Sequence, residues 1–201
     1  MYTLCVDNPD KLYFTSDNHH SHFNICKYCN RPFTSRSEMD QTLIKNWNYV
    51  VPEDGIVICC GDFMLPHDTG FKEYVKYIKQ LNGTIYMTRG NHDRIDIGEY
   101  CLDGEIVPKL IVNDMMMIKC GDIKIFAQHY PCIAFNGDYQ VFGHVHTLFD
   151  GTVNGVDNDV VWKARWNQYD VGVDQNGYKP VSYKQLMEIF EKRKKYDYKG
   201  K

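Results

Sequence analysis

The sequence predicts an α/β fold organised around a parallel sheet. Three features carry that expectation. Apolar, strand-like runs alternate with helical periods through the first half. The run Gly55–Cys60 is apolar without a break, as a strand covered on both faces requires. The resulting β-α-β-α-β order implies right-handed crossovers.

Taken in order, Lys11–Ser16 reads as the first strand. A helix follows near Glu38–Tyr49. Ser35 and Glu38 fit a capping box, and Met39, Leu43, Trp47 and Val50 share a face. Gly55–Cys60 is the second strand, with Cys59 and Cys60 on opposite faces. A helix near Gly70–Asn82 turns Phe71, Val75, Ile78 and Leu81 inward and stops at Gly83. Thr84–Thr88 is the third strand. In the second half, Asp114–Lys119 and Ile123–Gln128 form a hairpin around Gly121-Asp122, with the Met115–Met117 run packed in it. Tyr139–Phe142 and Asp170–Val173 read as short strands. A last helix, near Tyr183–Lys195, has a Ser182/Gln185 capping box and a Val181–Leu186 staple. Its basic end, Lys192–Lys195, suits a helix C-terminus.

Composition narrows the function classes. The 201 residues carry a net charge of −3, with 43% hydrophobic and 24% charged side chains. These values fit one globular domain over 1–201 and exclude a rod or a disordered tail. No apolar run approaches the ~20 residues of a membrane span, and Met1–Asp10 has no signal-peptide pattern. A near-neutral chain is poorly suited to gripping long nucleic acid by charge alone. The eight cysteines read as reduced thiols in a cytoplasmic protein, including the single Cys26-Lys27-Tyr28-Cys29 pair, which lacks the second pair of a zinc site.

The chemistry lies at the ends of the strands. Asp17-Asn18-His19 follows the first, Gly61-Asp62 the second and Gly90-Asn91-His92-Asp93 the third. His129 and Gly143-His144-Val145-His146 follow two more. Ligands in open α/β sheets bind beyond the carboxyl ends of strands, so five such ends point at one site. Alternate residues of a strand share a face, which pairs the two histidines of the last motif. Mixed nitrogen and oxygen donors suit Mn²⁺, Fe, Zn²⁺, Ni²⁺ or Co²⁺, and the imidazoles argue against a pure Mg²⁺ or Ca²⁺ site.

The order DxH, GD, GNHD, H, GHxH resembles the calcineurin-like metallophosphoesterase family. Phe14–Ile25, Cys29–Phe33 and Val171-Gly172-Val173-Asp174…Tyr178–Ser182 are similar to a branch of small, single-domain bacterial and phage members. The resemblance implies an α/β, αββα four-layer sandwich of mixed sheets with a dinuclear metal site at the strand C-terminal ends. It implies two divalent metal ions, Mn²⁺ first among them. Asp17, His19, Asp62 and His146 would hold one; Asp62, Asn91, His129 and His144 would hold the other. It further implies attack by a metal-bridging hydroxide on a phosphodiester or phosphomonoester of a small, nucleotide-like substrate. His92 would face the leaving group and Asp62 would bridge. A cytoplasmic enzyme, or one in the host cytoplasm if phage-encoded, is the corresponding expectation.

Around these residues several readings stay open. Asp93 either orients the His92 loop in catalysis or caps a helix after it. His22 is either a substrate or supporting contact or a surface residue; His20 is assigned to the surface. Arg31 is the first substrate-binding candidate and Asn24 a further one, while Arg89 suits a salt bridge equally well. His67 could line the pocket mouth. Trp162, Arg165 and Trp166 either stack on a base or close a core edge. Protein phosphatases of this family follow GD with GDxxDR, whereas Leu65 and Pro66 stand here, which disfavours a protein substrate. A nuclease and, behind it, a non-catalytic interaction protein are the alternatives; neither a membrane nor nucleic acid is the favoured partner.

Overall fold

A computed structural model describes residues 1–67, 70–102, 108–146, 152–153, 156–157 and 165–197. The elements are β1 (Tyr2–Cys5), a 3-10 turn (Pro9–Lys11), β2 (Leu12–Thr15), α1 (Asn24–Tyr28), α2 (Arg36–Val50), β3 (Ile56–Cys59), α3 (Phe71–Ile78), β4 (Thr84–Thr88), β5 (Gly98–Tyr100) and β6 (Leu110–Asn113). There follow β7 (Met116–Cys120), β8 (Ile123–Ala127), β9 (Tyr139–Phe142), the two-residue pair β10 (Thr152–Val153) and β11 (Val156–Asp157), β12 (Gln168–Asp170), β13 (Val181–Ser182) and α4 (Tyr183–Asp197).

Two mixed sheets result. One has the order β13-β2-β3-β4-β6-β5, with β2, β3, β4 and β6 parallel. The other has the order β1-β7-β8-β9-β12, with the expected antiparallel β7–β8 hairpin turning at Gly121 (φ 59°). Alternation along β3 builds both cores. Val57 and Cys59 face α2 and α3, meeting Trp47, Tyr74 and Ile78. Ile58 and Cys60 face the second sheet, meeting Ile118, Ile125 and Val141. The α4 residues Leu186 and Phe190 enter that same intersheet core, and the Phe190 ring stacks on Tyr139 at 4.3 Å.

The helix ends follow their capping chemistry. Ser35 Oγ accepts the Glu38 amide at 3.1 Å, and the Glu38 carboxylate reaches back to the amides of Thr34, at 2.8 Å, and Ser35. At α4 the box is reciprocal between Ser182 and Gln185. In α3 the inward residues are Tyr74 and Ile78, with Phe71 and Val75 only half-buried. The strand expected at Asp170–Val173 is shorter and earlier, at β12; Gly172 makes an isolated parallel bridge to Ser16. Sequence reading missed β1, α1, β5, β6 and the two-residue strands β10, β11 and β13. No helix among the described residues is long and apolar enough to cross a membrane.

Candidate metal centre

The loop after β2 runs beside the loop after β3, rung by rung. The amides of Asp17, His19 and His20 donate to the carbonyls of Gly61, Asp62 and Phe63, each at 3.0 Å. Ser16 Oγ adds a bond to the Cys60 carbonyl at 3.0 Å. These rungs hold an uncommon backbone. Asp17, His19, Asp62, His144 and His146 all have positive φ, between 48° and 71°. Asp and His tolerate this region better than most residues, yet each instance still costs about 1 kcal/mol or more. Such strain clusters where side chains must be aimed.

The aimed groups form a cage. His19 Nε2 lies 3.3 Å from His146 Nε2 and 3.6 Å from Asp62 Oδ2. His146 Nε2 is 3.9 Å from Asp17 Oδ1, and His129 Nε2 is 3.5 Å from Asp62 Oδ2. Asn91 Oδ1 lies 3.0 Å from both His129 Nε2 and His144 Nδ1. The carboxylate of Asp62 thus stands between Asp17, His19 and His146 on one side and Asn91, His129 and His144 on the other, the two donor groups that the resemblance assigns to two ions. Outer partners set the tautomers. His129 Nδ1 donates to the Cys60 carbonyl at 2.8 Å, so its Nε2 presents a lone pair to the cage. His146 Nδ1 donates to Asp174 Oδ2 at 2.8 Å, which turns its Nε2 toward the cage.

Electrostatics describe a site made for cations. Burial pushes the Asp17 carboxyl up to about 7, with Asp62 adding to the rise and His146 opposing it. Burial drives His19 well below its usual range and lowers His144 and His22, which favours the neutral, ligating imidazole. Burial opposes charge on His146, but Asp17 and Asp174 outweigh it and push it up to about 11. Buried carboxylates set among imidazole nitrogens form a donor set that suits divalent cations. A further group, Cys29, His146 and Asp174, also converges. Its His146 nitrogen is already bonded to Asp174, and the Arg31 charge lies beside it, so it supports the cage rather than forming another cation site.

The floor is fixed from below. Asp93 accepts the amides of Asp62 at 2.8 Å, Phe63 at 3.1 Å and Gly90 at 2.9 Å, and the Tyr74 hydroxyl at 3.1 Å. Asp93 therefore positions two ligand loops; it neither lines the cavity nor caps a helix. Above the cage opens a cavity of about 320 Å³. His92 stands on its wall, its amide bonded to Asp62 Oδ1 at 2.9 Å and its Nε2 4.0 Å from Asp62 Oδ2. His22 is beside it, 5.6 Å ring to ring, and Ile25, Tyr28 and Cys29 from α1 and its end complete that side.

Several sequence expectations are corrected. Arg31 does not reach the cavity: it is buried, forks onto Asp174 at 2.7 and 3.0 Å, and donates to the carbonyls of Asp17 and Asn18. Asn24 is exposed on α1, away from the cavity. His20 is fully buried rather than on the surface, stacked 4.6 Å from the Tyr77 ring. Its Nδ1 faces Asp40 and its Nε2 has no partner. Arg89 pairs with Asp114. His67 lines a different cavity, with Arg36 and Lys76. Trp166 meets Tyr139 edge-on and closes a core edge; Trp162 lies outside the described residues. The reading missed Asp174, Tyr74, Ile25 and Tyr28.

A two-sheet α/β fold with a carboxylate–imidazole cage at its strand ends has the donor set of a metal-binding scaffold. Residues 11–148 match the family model described as calcineurin-like phosphoesterase, and the chain belongs to that family. It is 33% identical over 187 residues to the uncharacterized protein MJ1445 of Methanocaldococcus jannaschii, covering 92% of this chain and 93% of that one. Its fold is similar to that of the protein of unknown function AQ665 from Aquifex aeolicus. The TM-score is 0.62 at 22% identity, over 89% of this chain and 98% of that one.

Proposed function

We propose that this chain is a phosphoesterase that holds two divalent cations and hydrolyses a phosphodiester or phosphomonoester bond of a small, nucleotide-like substrate. The convergence of Asp17, His19, Asp62, Asn91, His129, His144 and His146 beneath one cavity, with His92 on its wall, carries the reading. When bound, the cations, with Mn²⁺ first choice, would neutralise phosphoryl charge and lower the pKa of a water. Asp17, His19, Asp62 and His146 would hold one, and Asp62, Asn91, His129 and His144 the other.

The remaining steps fall to this chain's side chains. His92 faces the cavity with its ring free to hand a proton to the departing oxygen. Its backbone bond to Asp62 Oδ1 keeps that ring registered to the floor. Beyond His92, the rings of His22 and Tyr28 and the Ile25 side chain offer an aromatic and apolar wall for the planar part of a leaving group. Eight free cysteines suit a reducing compartment, so we place the activity in the cytoplasm.

The test is to strip the protein of metal and titrate Mn²⁺ while assaying aryl mono- and diesters, mononucleotides, cyclic nucleotides, DNA and RNA. Turnover of a small ester that rises with two bound ions per chain is expected. A protein carrying two ions that hydrolyses none of the small esters refutes the reading; hydrolysis of nucleic acid alone transfers it to the nucleases.

A further inference from the structure

Beyond the segment that matches the family, the chain returns to the cage. Gly172 bridges Ser16, and the Val173 amide donates to the Ser16 carbonyl at 3.1 Å. Val173 is buried against Ile25, Met39 and Leu43, which anchors the turn that follows. Gly172 passes so close that a Cβ there would lie 3.0 Å from Asp17 Oδ2. The segment delivers Asp174, whose Oδ2 accepts from His146 Nδ1 at 2.8 Å. Arg31 grips both Asp174 oxygens, and its other donors take the carbonyls of Asp17 at 2.7 Å and Asn18 at 3.0 Å. One buried pair therefore joins the His146 ring to the backbone of the 17–19 loop.

A buried ion pair is weak evidence of a role in stability, since a well-packed apolar pair often serves as well. Here the pair does something an apolar pair cannot. An imidazole offers two nitrogens, and a partner on one decides which way the other faces. The two donor groups also differ in that partner. His146 leans on a carboxylate from residue 174, whereas His129 leans on the neutral Cys60 carbonyl.

We propose that Asp174, seated by Arg31, is a positioning residue for one cation site only: it fixes His146 with Nε2 turned toward His19 and Asp17, while the Asn91/His129/His144 group stands without it. The proposal rests on reading the cage as a two-cation centre. It predicts that the two ions respond differently to a change at residue 174.

Asp174→Asn keeps an oxygen for the His146 N–H but removes the charge. In calorimetric titration of Mn²⁺ into metal-free protein, the wild type should take up two ions. The variant should bind one unchanged and the other about 10- to 100-fold more weakly. Its phosphoesterase activity should recover as Mn²⁺ is raised, a rescue that a merely structural lesion would not show. Wild-type affinity for both ions overturns the proposal, as does equal weakening of both. A wild type that never binds two ions instead refutes the two-cation reading, and this proposal with it. If the variant does not fold, ¹⁵N-histidine NMR of the Zn²⁺-loaded wild type decides. Protonated Nδ1 and ligated Nε2 are expected at His146, and a ligated or unprotonated Nδ1 overturns the assignment.

Discussion

Gly90 offers the sharpest test of how closely the cage is fitted. It lies where the loop after β4 crosses the loop after β3. A Cβ added there would sit 2.8 Å from Asp62 Cγ and nearer still to Asp62 Oδ1 and its amide nitrogen. Ordinary contact begins at 3.4 Å and the Asp62 amide nitrogen would stand at 2.4 Å, so the Asp62 backbone must retreat by about 1 Å. Rotating the Asp62 side chain gives no escape, because its backbone is in the way and the His92 amide holds Oδ1 at 2.9 Å. Asp62 belongs to both donor groups, so both move. A misplacement near 1 Å costs on the order of 10²-fold in rate, and Gly90→Ala should lose that much in kcat/KM. Overpacking should also remove about 1–3 kcal/mol of stability. Gly70→Ala is the matched control. Gly70 has φ 98° and nothing within 4 Å of an added Cβ, so backbone strain of about 1–3 kcal/mol is its whole effect. Calorimetric Tm and turnover of an aryl phosphodiester at saturating Mn²⁺ check both variants. Full kcat/KM in a folded Gly90→Ala protein refutes the reasoning, and so does an equal loss of activity in Gly70→Ala.

Other perturbations separate the remaining roles. His92→Gln should lower kcat by about 10²- to 10⁴-fold while leaving the number of bound ions unchanged, as metal analysis of the same sample would show. Chelation should abolish turnover and lower Tm. Returning Mn²⁺ at 100 times its Kd should restore about 2.7 kcal/mol, read as the Tm difference between stripped and loaded protein. Tyr28→Ala should raise KM for a nucleotide ester about tenfold with little change in kcat, since it removes one stacking surface. The same variant should leave KM for a small alkyl phosphate unaltered.

The donors were legible because each closes a strand of recognisable period, and strand ends of a parallel sheet gather at one edge. Their supports were not, and the reasons are specific. Arg31 reads as a phosphate-binding arginine in a loop; only its pairing with Asp174, 143 positions away, turns it inward. His20 lies in the polar stretch Asp17–His22 and reads as a surface residue. Left-handed backbone at both His19 and Ser21 turns it inward, and it is buried. Tyr74 sits one helical row from the apolar residues chosen for α3, and its hydroxyl is committed to Asp93. The edge strand β1 buries only Leu4 among its four residues, so it leaves little hydrophobic signal.

The departure at Leu65 is where this cage differs from the resemblance that suggested it: an apolar side chain stands where a carboxylate would meet the His92 ring. His92 is registered through its own amide to Asp62, not through residue 65. Leu65 uses its backbone to bond the His20 carbonyl, extending the rungs between the first two ligand loops. The carboxylate that braces this region is Asp93, which accepts amides from both the Asp62 and the Gly90 loops while Tyr74 holds it from α3. Burial and the neighbouring Asp62 push that carboxyl up to about 6, opposed by the same hydrogen bonds that make it useful. Bracing from beneath leaves the space above His92 to His22 and the α1 wall. Two of those wall residues still reach the cage, His22 through its Nδ1 at 3.3 Å from His19 Nδ1 and His92 through its amide on Asp62, which leaves Tyr28 as the ring whose replacement should disturb the donors least.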